Sequence, residues 1–278
     1  MKLMKYLKGF TLPLILLVLI LGVRVVAELE LPTYTSNIVD IGIQQKGIKD
    51  AVPNKISEKS LNTLELFMTD DEVKKVKDNY KKEGNFYNLN NISDDVRKEL
   101  NDIFKETMTV VLGAKKQNTD LTQVEQGVKL GAVDKSTLVE QRKKTVSSLG
   151  NASDMMLKQA GISFVKEEYS EVGIDTNEIR NSYLKEVGLM MIFMTFISGL
   201  GSIISNFISS RIASRVAFNL REKLYNKVLS FSKQDIDKFS TASLITRSTN
   251  DIQQIQNALN MFLFIAFFAP MMAMWGIY

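Results

Sequence analysis

Residues 211–260, RIASRVAFNLREKLYNKVLSFSKQDIDKFSTASLITRSTNDIQQIQNALN, are charged and helical in pattern, yet they lie between two apolar runs. Upstream, Val187 to Ile208 carries no charge; downstream, Ala258 to Tyr278 carries none. Each run is close to the ~20 residues a helix needs to cross a hydrocarbon core of ~30 Å. No proline interrupts Val187 to Leu229, and Gly188, Gly199 and Gly201 all fall in the apolar part. At ~1.5 Å per residue this stretch predicts a helix of roughly 65 Å, about twice the membrane requirement. Around 30 Å must therefore project into water. A return helix starting near Ser240 or Thr241 turns wholly apolar only at Ala258 and projects by ~27 Å. With a short link at Ser230–Phe239, the two predict an antiparallel helical hairpin standing out of a membrane, where something soluble can grip it.

Working outward, Phe10 to Ala27 is a third membrane-length run, with Arg24 its only charge and Pro13 in the first turn, where a missing N–H costs little. Pro32 and Gly42 punctuate the segment that follows. Arg24 near the end of the span reads as a side chain snorkelling to the headgroups, with a place at the mouth of a cavity as the sharper alternative. The basic start could also belong to a secretory signal cleaved before Glu28, but the apolar run is long for one and Arg24 sits badly beside the cut. Charge then sets orientation. The overall balance is +4, but residues 49–182 are net −2 (21 basic, 23 acidic), so the positive charge lies next to the spans. Lys2, Lys5 and Lys8 before the first span, and Arg211, Arg215, Arg221, Lys223 and Lys227 after the second, both read as cytoplasmic. Two crossings make these assignments consistent and put 49–182 outside. The basic character is thus a topology signal and a poor argument for nucleic-acid binding. The expected fold is an all-α membrane protein. It divides into 1–48 (N-terminus, first span and outer segment), a small, mainly helical extracellular domain at 49–182, and 183–278 (second span, intracellular loop, third span).

With no cysteine and no histidine, the 49–182 domain must hold together without disulfides, and the usual zinc sites lack their Cys and His ligands. Thr69-Asp-Asp-Glu72 has capping-box spacing. Ser93 leads into a stripe of Val96, Leu100, Ile103 and Phe104. Helices are predicted over 137–149 and 152–160, with Gly150 and Gly161 as stops. Asp70/Asp71 and Asp94/Asp95 read as acids favoured at helix starts in preference to a cation site. No catalytic constellation is evident.

At the tip of the projecting segment, Ser232, Lys233, Gln234, Asp235, Ile236, Asp237, Lys238 and Phe239 offer one helical turn with apolar Ile236 and Phe239 among charges. Such a turn suits docking in a partner's groove with Phe239 as anchor, although composition alone fits a solvated loop as well. Arg247 and Asp251 stand at i, i+4, the spacing of an intrahelical ion pair. The stretch FSTASLITRSTNDIQQIQNAL, the preceding LREKLYNKVLSFS, Leu31-Pro32, and Ile38-Val39-Asp40-Ile41-Gly42-Ile43 together resemble bacterial multidrug-type ABC exporters. Pro32, Asp40, Gly42, Arg221, Arg247, Asn250 and Asp251 stand at motif positions.

The resemblance covers about 1–48 and 183–278. It implies spans one to three of a six-helix half-transporter, with Ser232–Phe239 as the coupling helix against nucleotide-binding domains in cis and in trans. It also implies a second half-transporter, the plasma membrane, ATP with Mg, and export of amphipathic compounds, lipids or peptides by alternating access. Two features depart from the family. An outer insertion of this size leans toward a heterodimer. The sequence has no G-x-x-x-x-G-K-[ST] loop to cradle phosphates, so ATP chemistry is expected from residues beyond these 278. Other classes share parts of the pattern. A membrane sensor or chemoreceptor has two spans around an outer ligand-binding domain, but the third apolar run argues against it. A mechanotransmission-type ABC permease needs only short inner loops.

Overall fold

The computed structural model describes residues 7–149, 153–232 and 240–277. The chain is mostly helical. In order it forms α1 (Thr11–Asn37), β1 (Lys55–Ser57), α2 (Glu58–Glu65), α3 (Asp70–Asn79), β2 (Tyr80–Glu83), β3 (Phe86–Leu89), α4 (Asp94–Lys116), α5 (Leu121–Lys129), α6 (Lys135–Ser148), α7 (Ser153–Glu171), α8 (Thr176–Leu229), α9 (Thr241–Thr246) and α10 (Ile252–Ile277). π-Helical turns at Ile38–Gln44 and Arg247–Asp251 extend α1 and join α9 to α10. Two compact units result, Met1–Thr35 with Gly188–Tyr278, and Ser36–Val187.

In the first unit, three helical segments are long and apolar enough to cross a membrane: Thr11–Gln44, Thr176–Leu229 and Ala242–Ile277. Only 22%, 17% and 11% of their most apolar windows are buried within the chain, so most of that surface needs an apolar environment from outside it. Where the three meet, Leu17 and Leu21 of α1, Ile212, Ala213 and Val216 of α8, and Leu259 and Leu263 of α10 form one buried cluster. α8 is 54 residues long, or about 80 Å at ~1.5 Å per residue. It starts eleven residues before the apolar run because Gly173 (φ 78°) turns the chain and Asp175 then caps the helix, accepting from the Asn177 N–H at 2.8 Å.

Pro32 does not punctuate the segment after the first span as its position suggested. It sits exposed inside α1, and the helix runs through it into the π turn. Nor does Gly42 end the helix; it is buried in that turn, where a Cβ would lie 2.5 Å from Leu184 Cδ2. It is there for close approach. The stop comes at Gly47, whose φ of 81° follows Lys46 at 52° and whose Cβ would lie 2.9 Å from the Ile179 carbonyl oxygen.

The second unit packs its helices against a small sheet. Ser93 caps α4, and Leu100, Ile103, Phe104, Met108 and Val111 recur at helical spacing to form its buried face. α7 packs along α4, closely enough that a Cβ at Gly161 would lie 2.5 Å from Ala51 Cβ and 3.3 Å from Lys105 Cα. Gly161 is therefore a packing position within α7, whereas the helical pattern suggested a stop; Gly150 lies outside the described residues. Thr69 and Glu72 form the capping box of α3 in both directions, at 3.3 and 2.8 Å. The sheet, with strand order β1-β3-β2 and all pairs antiparallel, was not anticipated. Its hairpin turns through Gly84-Asn85, with Gly84 at φ 64° and Glu83 opposite Phe86. Tyr80 anchors it, meeting Phe104 edge-on and donating to the Pro53 carbonyl at 2.6 Å.

Candidate functional site

Leu17, Leu21, Arg24 and Glu28 follow each other at spacings of four, three and four, which puts them on one face of α1. The apolar seam thus continues into a charged pair. Arg24 Nε donates to Glu28 Oε1 at 2.9 Å, and their side chains are 15% and 26% exposed. Ser198 Oγ of α8 donates to the same carboxylate oxygen at 3.0 Å. The guanidinium lies over Phe268 and Phe264 of α10, 4.8 and 5.4 Å from the ring centroids, and those rings stack 5.0 Å apart. Gly201 allows the approach, since a Cβ there would lie 3.1 Å from Arg24 Cβ. Arg24 therefore turns inward among three helices and does not snorkel. A cation in a span-length helix is normally stable only when paired and faced inward, and both conditions hold here.

Along the same packing surface, polar contacts tie α8 to α10. Ser209 Oγ donates to Asn260 Oδ1 at 2.6 Å, Gln256 donates to Ser214 Oγ at 3.0 Å, and Arg221 donates to Gln253 Oε1 at 3.3 Å. Position rises on one helix as it falls on the other, so the two run antiparallel. Of the motif residues, Arg221 is thus an interhelical tie. Asp40 accepts from Ser36 Oγ at 2.8 Å within its own turn. Arg247, Asn250 and Asp251 share the π turn that follows α9, whose start is capped by Ser240 accepting from the Ser243 N–H at 3.2 Å. Among the described residues Arg247 and Asp251 form no ion pair. The π turn removes α-helical register from their spacing, and Arg247 makes its interactions elsewhere. Of the proposed coupling segment, Ser232 is described; Lys233, Gln234, Asp235, Ile236, Asp237, Lys238 and Phe239 lie outside the described residues.

The second unit contributes two charge clusters that sequence reasoning missed. Arg142, with its side chain 4% exposed, meets Glu72 in a two-pronged pair at 2.9 and 2.9 Å and has Glu106 at 3.7 Å. Arg97 grips Asp50 at 2.6 and 3.0 Å at the edge of a cleft of about 560 Å³ also lined by Lys49, Asp94 and Tyr169. The partners in these clusters lie 70 and 47 residues apart, so no local pattern announces them. Among the described residues no group of three or more acidic side chains is placed to hold a metal ion. Asp70, one of the acids considered for such a role, instead pairs with Lys135 at 2.8 Å, and that hydrogen bond holds its carboxyl below the usual range.

These features define a helical membrane protein with an inward-facing ion pair among its spans. Comparison with known proteins narrows the class. Residues 154–278 match the family model for the ABC transporter transmembrane region. The chain is 32% identical over 105 residues to YfiB of Bacillus subtilis, an uncharacterized ABC transporter ATP-binding protein; the match covers 38% of this chain and 18% of that protein. An uncharacterized ABC transporter ATP-binding protein of Mycobacterium tuberculosis is 30% identical over 91 residues, 33% of this chain and 16% of its own length. The match thus spans under a fifth of these relatives. No solved structure matches the chain at comparable significance. Together the family model and the relatives support an ABC transporter permease.

Proposed function

We propose that this chain is the permease portion of an ATP-driven ABC exporter that moves amphipathic compounds, lipids or peptides out of the cell by alternating access. The observation that carries the reading is α8. At about 80 Å it far exceeds a ~30 Å hydrocarbon core, its charged end runs antiparallel to α10, and the stretch belongs to the part that matches the ABC transmembrane model. In this reading the 211–257 region is cytoplasmic and 49–182 is extracellular, in a bacterial plasma membrane. Ser232–Phe239 docks on nucleotide-binding domains in cis and in trans. Those domains bind ATP and Mg; these 278 residues contain no G-x-x-x-x-G-K-[ST] motif, and no step of ATP hydrolysis is assigned to them. The second half-transporter is a different chain, given the size of the outer insertion. A sensor reading is disfavoured by the third span-length helix.

Two experiments test this. In the complete transporter, Phe239→Ala is expected to lower substrate-stimulated ATPase and transport together about tenfold or more, the loss of one buried aromatic anchor; unchanged values would remove the coupling role. Topology is checked separately on whole cells. These 278 residues hold no cysteine, so each substitution introduces a single thiol among them. Lys116→Cys should react with an impermeant thiol reagent and Glu222→Cys should not; the reverse pattern would invert the assignment. The gene beyond the codon for Tyr278 should encode three more spans and a nucleotide-binding domain. A kinase or methyl-accepting coiled coil there would overturn the exporter reading.

A further inference from the structure

Between the start of α1 and the middle of α8 lies a groove of about 770 Å³, within the ~300–1,000 Å³ range of small-molecule sites. Leu12, Pro13 and Leu16 form one wall; Phe207, Ile208 and Phe218 form much of the other. Two cations, Arg211 and Arg215, also line it. Arg211 is the first charged residue after the uncharged stretch 187–210, and Arg215 follows one turn (~6 Å) later on the same face. Both are exposed. Among the described residues, neither is in an ion pair, and the first acid after them in α8 is Glu222, about 16 Å along the helix from Arg211. Arg215 lies over the Phe218 ring at 5.4 Å. Two like charges at i, i+4 with no acid beside them repel, and an anion between them removes that cost.

We propose that this groove holds an anionic phospholipid, its phosphate between Arg211 and Arg215 and its upper acyl chains against Leu16, Phe207 and Ile208. The order of residues along α8 matches the order of groups in such a lipid. The apolar residues Phe207 and Ile208 precede the arginines on the side of the uncharged run, where the chains belong. The arginines stand where that run ends and headgroups begin. Guanidinium forks suit phosphate oxygens better than a point charge does. A free phosphate would leave the apolar walls uncovered, which is why the lipid is favoured. The site requires only that these helices lie in a bilayer, so it stands apart from the transport reading.

The test uses the full chain purified in detergent, stripped of lipid, and titrated with phosphatidylglycerol or phosphatidylcholine under native mass spectrometry. Wild type should hold one phosphatidylglycerol in clear preference to phosphatidylcholine. Arg211→Gln/Arg215→Gln should lose that preference by about thirtyfold, on the scale of two surface cations near an anionic headgroup. Lys116→Gln/Lys144→Gln removes the same charge elsewhere and should change nothing. Equal retention in the Arg211/Arg215 double variant would overturn the proposal. So would displacement of the lipid by inorganic phosphate, which would make the site one for free anions. A photoreactive residue at Leu12 should cross-link to lipid in membranes; cross-linking to protein would show that another helix fills the groove, and would also overturn it.

Discussion

Replacing Arg142 with alanine is expected to loosen the Ser36–Val187 unit by ~3–5 kcal/mol, the usual cost of removing one partner from a buried ion pair. Domains of this kind are typically stable by only ~5–15 kcal/mol, so the loss is a large share of the total. The argument rests on what Arg142 joins. It projects from α6, grips Glu72 at the start of α3, and reaches Thr107 and Glu106 on α4. Glu72 is also the capping-box acid of α3, so one deletion unsettles a helix start as well as a three-helix contact. Hydrogen exchange on the whole chain in detergent is the readout. Amides of α3, α4 and α6 should exchange at least ~100-fold faster, since each ~1.4 kcal/mol is a factor of ten. Unchanged protection would show that the pair contributes little.

Acid should narrow the gap between wild type and this variant. Burial, the strongest single influence on Glu72, pushes its pKa up, but hydrogen bonds from Arg142 and Thr69, with the Arg142 charge, outweigh it and leave the group below its usual range. The stability from a depressed carboxyl is fully present above the unfolded value of ~4.3 and fades as pH falls through the lower folded value. The advantage of wild type should therefore persist at neutral pH and shrink in strong acid.

How much could be read from residues alone follows a simple physical division. Features written in consecutive residues were legible. The three span-length helices follow from apolar runs, the cap at Thr69 from hydroxyl–acid spacing, and the helix after Ser93 from its apolar stripe. Features set by approach between distant elements were not. Pro32 signals a break locally, yet α1 continues through it. Gly42 and Gly161 look like helix stops, yet each is a point where another element comes too close for a Cβ. The sheet escaped because its strands are three or four residues long and β2 is Tyr-Lys-Lys-Glu, with only Tyr80 buried; Gly84-Asn85 was its one local signal. Arg24 shows the same division at the candidate site. Its position in the span was plain, but its direction depends on α8 and α10.

Arg24→Ala leaves the Glu28 carboxylate among three helices with Ser198 as its remaining hydrogen-bond donor. Stranding one member of a largely buried pair costs up to ~3–5 kcal/mol, and the 26% exposure of Glu28, just past the apolar run, puts the loss toward the lower end. The folded, monodisperse fraction recovered from membranes should fall sharply, and its thermal midpoint with it. Arg24→Met/Glu28→Met should recover most of that loss, because removing both charges leaves neither stranded. Arg24→Lys should fall between, keeping the charge but losing the planar group over Phe264 and Phe268. A snorkelling Arg24 would give a different pattern: the single and double variants would both be near neutral, and lysine would equal arginine. The cycle therefore separates an inward ion pair from a headgroup anchor without knowledge of any substrate.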